Sequence, residues 1–64
     1  MKTLKELRRQ IKTEAVYVGL KPYSHNIIGL CLSQIDKEFG TKEVNRAIRN
    51  FGLKSLGWRE VKEP

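Results

Sequence analysis

The stretch SHNIIGLCLSQIDKEFGTKEVNRAIRNF, Ser24 to Phe51, holds two helical apolar patterns parted by a single glycine. In the first, Ile28, Cys31, Leu32, Ile35 and Phe39 recur three or four residues apart, the spacing that puts side chains on one face of a helix. This predicts helix B over residues 25–39, with Ser24 as its N-cap. Ile27 and Leu30 widen the apolar face almost to a full circle, the pattern of a central, buried helix, and Gly29 reads as a point of close helix crossing. Gly40 then stops the helix and Thr41 caps helix C, residues 42–51, whose stripe is Val44, Ala47, Ile48 and Phe51.

Upstream, Leu4, Leu7, Ile11, Ala15 and Val18 fall within about 80° of one another on a helical wheel, which predicts helix A over residues 3–18. A strand at Ala15–Val18 is the competing reading, but no second strong strand is present to pair with it. Gly19 and Leu20 read as a Schellman-like stop, with Leu20 folding back toward Ala15, and Pro22 holds Lys21 extended. Downstream, Gly52 and Leu53 repeat the stop, Leu53 placed to touch Ile48. Leu56, Trp58 and Val61 then make residues 53–64 too apolar to be wholly free. The expected fold is all-α: one domain over residues 1–64, a three-helix bundle with a partly ordered tail packing back across the helices.

Composition narrows the function. At 64 residues there is room for one core, and with 39% apolar and 31% charged residues a folded, well-solvated domain is expected. One cysteine, Cys31, and one histidine, His25, provide neither a disulfide nor the four ligands of a structural zinc site, and no cofactor or metal is expected. The longest apolar run, Ile27 to Leu32, is six residues, and charges interrupt the first twenty positions, so neither a membrane helix nor a secretory signal is expected. This reads as a soluble, cytoplasmic chain with no membrane partner. The basic helix A is amphipathic, but its apolar stripe lacks Trp and Phe and is needed by the core.

Thirteen Lys and Arg against seven Asp and Glu leave a net charge of +6, which favours a polyanionic or acidic partner. The excess is concentrated on helices A and C. Lys42, Arg46 and Arg49 lie within about 60° of one another on helix C, flanked by Asn45 and Asn50 and opposite the apolar stripe. Guanidinium groups fit phosphate and guanine and carboxamides fit adenine, so this face suits nucleic acid. A plain solvated face would look the same. On helix A, Lys2, Lys5, Arg9 and Lys12 occupy one flank, with Arg8 beside the apolar stripe. The bases form one groove-sized surface if helices A and C pack side by side, and two weak patches if they lie on opposite sides.

Residues 32–52 show a partial resemblance to a helix-turn-helix motif, in which the second helix enters the major groove. Ile35 and Phe39 fit that pattern, but the sixth and ninth positions after the turn glycine, usually apolar there, are Arg46 and Arg49, so no family residue roles transfer. Two functions follow. One is a nucleic-acid-binding module contacting DNA or RNA through Lys42, Asn45, Arg46 and Arg49 with help from Lys5, Arg9 and Lys12, with a homodimer as a way to raise the weak affinity of one short module. The other is a small adaptor or inhibitor docking this surface and Trp58 on an acidic site of a larger protein. Trp58 also reads as a core-closing residue with Leu53 and Leu56. Catalysis is not expected. Ser24 and His25 are adjacent, a poor geometry for nucleophile and base, and no carboxylate stands near them in sequence.

Overall fold

The computed structural model describes residues 2–63 and shows an all-α bundle: α1, Leu4–Ala15; α2, Ser24–Phe39; α3, Thr41–Asn50; and a short 3-10 turn, Leu53–Leu56. Helix α2 lies between the other two, and the buried core joins Leu7 and Ile11 of α1, Ile28, Cys31, Leu32 and Ile35 of α2, Val44, Ala47 and Ile48 of α3, and Leu53. Among the described residues, no helix is long and apolar enough to cross a membrane.

Helix α1 starts with a reciprocal cap. The Thr3 hydroxyl accepts from the Glu6 amide at 3.1 Å and the Thr3 amide donates to Glu6 Oε1 at 3.0 Å. The Thr3 amide foremost, and then the Thr3 hydroxyl beside it, hold the Glu6 carboxyl below its ordinary range. The helix ends at Ala15, three residues before the predicted Val18. Val16 and Val18 are β-branched and gain little from a helix, and the chain reverses at once through Leu20 N–H and Lys21 N–H bonds to the Tyr17 carbonyl at 2.8 and 2.9 Å. Leu20 does not fold back on Ala15: it is 79% exposed.

Ser24 is not the N-cap of α2 but its first residue, fully buried, and its hydroxyl donates to Glu14 Oε1 at 2.9 Å. A buried hydroxyl must be satisfied. Here the bond ties the start of α2 to the end of α1 and sets the two helices antiparallel. Thr41 likewise belongs to its helix, donating to Asp36 Oδ1 at 2.9 Å, and the N-cap of α3 is Gly40 itself. Two other expectations for α2 also fail. Leu30 is exposed and Phe39 partly so, leaving α2 buried on one side only, and Gly29 faces open space, with nothing within 4 Å of where a Cβ would stand.

The two glycines of this region therefore play opposite parts. Gly40 has φ 94° and ψ 165°, a conformation that is essentially confined to glycine, so the sharp entry into α3 depends on it. Gly40→Ala should lower the unfolding free energy by about 1–3 kcal/mol. Gly29→Ala, in an open helix interior, should raise it by about 0.5–1 kcal/mol. Urea unfolding of the two variants measures both, and a stabilised Gly40→Ala would contradict the assigned turn.

The tail packs back as expected. Gly52 is left-handed at φ 65°, Leu53 is fully buried, and the Trp58 amide donates to the Leu53 carbonyl at 3.1 Å. Trp58 is half-buried against the core with its ring stacked on His25, centroids 4.1 Å apart and planes 22° from parallel.

Candidate nucleic-acid interface

The C-terminal ends of α1 and α3 approach each other. A shallow cleft between them is lined by Lys12, Ala15 and Val16 on one side and Asn50 and Phe51 on the other. One turn before Lys12, the Arg8 guanidinium lies over the Phe51 ring, 5.0 Å from its centroid, in a cation–π contact that bridges the helices. The Nη1 of Arg8 is buried with no hydrogen-bond partner among the described residues. On α3, Lys42, Arg46 and Asn50 follow one another at four-residue spacing along one flank, rising about 12 Å. Helices α1 and α3 each pack on α2, so the two basic faces approach only at this end and are separate elsewhere.

The predicted site residues do not all lie on this surface. Lys5, Lys12, Lys42 and Arg46 are exposed, and Arg46 stands 3.7 Å from Glu43, a loose pair on its own helix. Arg9 turns to the other flank of α1, in a recess with Lys2, Glu6 and Glu14. Trp58 sits across the molecule, in a groove with Leu32, Val44, Ile48 and Val61.

Asn45 requires a correction. It is 3% exposed, and its carboxamide is spent on the tail: Nδ2 donates to the Val61 carbonyl and Oδ1 accepts from the Val61 amide, both at 2.7 Å. A helical wheel places Asn45 on an open edge because it carries no information on where a segment sixteen residues later returns. Arg49 is likewise engaged, 2.6 Å from Glu60 Oε1, while Lys54 is 2.6 Å from Glu60 Oε2. These two cations, Lys54 foremost, hold the Glu60 carboxyl below its ordinary range.

Arg8 and Asn50, which the sequence places only beside the basic faces, are the residues that the structure adds to the site. Their signal was present in the four-residue steps Arg8 to Lys12 and Arg46 to Asn50, but it needed the helix packing to matter. Elsewhere the chemistry is quiet. Burial pushes the Cys31 thiol up, away from the reactive thiolate, and the Ser24 hydroxyl serves Glu14 rather than His25. Among the described residues, no three His, Cys, Asp or Glu side chains are grouped to hold a metal ion. Compared with known proteins, the chain matches no family model, and neither a curated protein nor a solved structure is significantly similar to it.

Proposed function

We propose that the protein is a small nucleic-acid-binding module that lays the joined α1–α3 surface on the phosphates of a duplex. The observation that carries this reading is the approach of Lys12 and Asn50 across one cleft, with Arg8 over Phe51 beside it and the exposed Arg46, Lys42 and Lys5 further along the two helices. A phosphate at the cleft is met by the Lys12 ammonium from α1, and the carboxamide of Asn50 on the α3 side is placed to take a base edge or a phosphate oxygen. The apolar lining from Ala15, Val16 and Phe51 lowers the competition from water for those contacts. No catalytic role is assigned to any residue.

The test is amide chemical-shift mapping with a mixed-sequence DNA duplex and its RNA counterpart. Shifts should concentrate at residues 5–12 and 42–50. Shifts confined to residues 16–23 on adding an acidic protein, with none on adding duplex, would replace this reading by the adaptor one.

A specific observation favours that second reading as well. Val16, Leu20 and Tyr23 are each 70% or more exposed and follow closely in the α1–α2 connection, beside Lys21, whose ammonium lies 4.1 Å from the Tyr17 ring centroid. Apolar side chains with a cationic neighbour suit a protein partner, and they take the anchoring role from the half-buried Trp58.

A further inference from the structure

We propose that residues 60–63 form a latch over α3 that a polyanion must displace to engage the whole basic face, so that the protein carries its own competitor for the partner. The inference rests on the duplex-binding reading and adds a regulated step to it.

Three features carry it. The first is position: the tail occupies two residues of α3 whose side chains suit nucleic acid. Glu60 places one carboxylate oxygen 2.6 Å from Arg49 and the other 2.6 Å from Lys54, the bidentate arrangement a phosphate would adopt toward the same two cations. The second is backbone mimicry. Asn45 gives the Val61 peptide the paired donor and acceptor bonds that a carboxamide gives the edge of adenine, both at 2.7 Å.

The third feature is weakness of attachment. Upstream, Trp58 is stacked on His25 and tied to Leu53, so the tail is firmly held to that point. Beyond it the hold changes character. Val61 is 53% exposed, Lys62 and Glu63 are exposed, and the side chains of Arg49 and Lys54 are more than half exposed. Glu60 is partly sheltered, but ion pairs whose cations are this exposed contribute little, and salt screens them further. Residues 60–63 can therefore peel away while the core and Trp58 stay in place, which is how low-stability segments open. Opening uncovers Asn45 and leaves Arg49 and Lys54 for phosphates, adding contacts on the flank of α3 away from the α1 cleft.

Glu60→Gln tests this against Glu63→Gln, which removes the same charge from an exposed residue outside the clamp. Binding to a mixed-sequence DNA duplex is read by fluorescence anisotropy at fixed salt. Glu60→Gln should tighten binding by about fivefold, the scale set by two exposed ion pairs, while Glu63→Gln changes it by less than about twofold. In the wild type, hydrogen exchange of the Val61 amide should be protected in the free protein and lose that protection in the complex. Equal tightening by both variants, or a Val61 amide still protected in the complex, overturns the latch and leaves duplex binding standing. Absence of binding at low salt by wild type and variants alike overturns the duplex reading and the latch with it.

Discussion

Leu53→Ala should leave the protein largely unfolded at room temperature. Leu53 lies outside the three long helices, yet it is fully buried and packs into the core that joins them. Truncating a buried leucine costs about 2–5 kcal/mol, the lost transfer energy plus that of the cavity left behind. A core in a chain of this size supplies only about 3–5 kcal/mol in total, so one such cavity consumes most of it. The same residue also positions the tail, since its carbonyl receives the Trp58 amide. Far-ultraviolet circular dichroism should show the loss of helix directly. Leu20→Ala is the matched control: the same side chain, 79% exposed, should be removable with no change in melting temperature. A Leu53→Ala protein that melts like the wild type would mean that the 3-10 turn is an appendage and the core is complete without it.

The second large effect falls on binding. Lys12→Glu combined with Arg46→Glu should weaken duplex affinity on the order of 100-fold. Each change removes a charge-assisted contact, worth about 1.5–3 kcal/mol, and about 1.4 kcal/mol is a factor of ten in affinity. Both side chains are exposed, Lys12 in the α1–α3 cleft and Arg46 one turn before Asn50 of its other wall, so the pair samples both helices while helicity is retained. Arg9→Glu, on the other flank of α1, should cost far less. Equal losses for Arg9→Glu and for either Lys12→Glu or Arg46→Glu alone would mean that diffuse charge, and not this surface, governs binding.

The helices were legible because apolar spacing is a local signal: Leu7 and Ile11, then Ile28, Cys31, Leu32 and Ile35, then Val44, Ala47 and Ile48 are buried where the periodicity puts them. The ends were less legible. Ser24 and Thr41 have the chemistry of caps, but each spends its hydroxyl on an acidic side chain, Glu14 or Asp36, which tertiary packing brings within reach. The capping box at Thr3 and Glu6 was a readable spacing that went unread. The candidate site divides along the same line. Lys42 and Arg46 stand exposed on α3 as the wheel predicts, because their surroundings are set by their own helix. Asn45 and Arg49 differ because the tail returns to them, a contact sixteen and eleven residues distant that no local pattern encodes.

The most direct test of the account is the salt dependence of duplex affinity. If Arg8, Lys12, Lys42, Arg46 and their neighbours hold phosphates, the logarithm of affinity should fall linearly with the logarithm of salt concentration, by about 0.9 per contact. Four or more contacts then give a slope of about −4 for the wild type and a slope shallower by about two for Lys12→Glu with Arg46→Glu. A wild-type slope near zero, or a slope that the double reversal leaves unchanged, would contradict the assignment of the α1–α3 surface as the binding face.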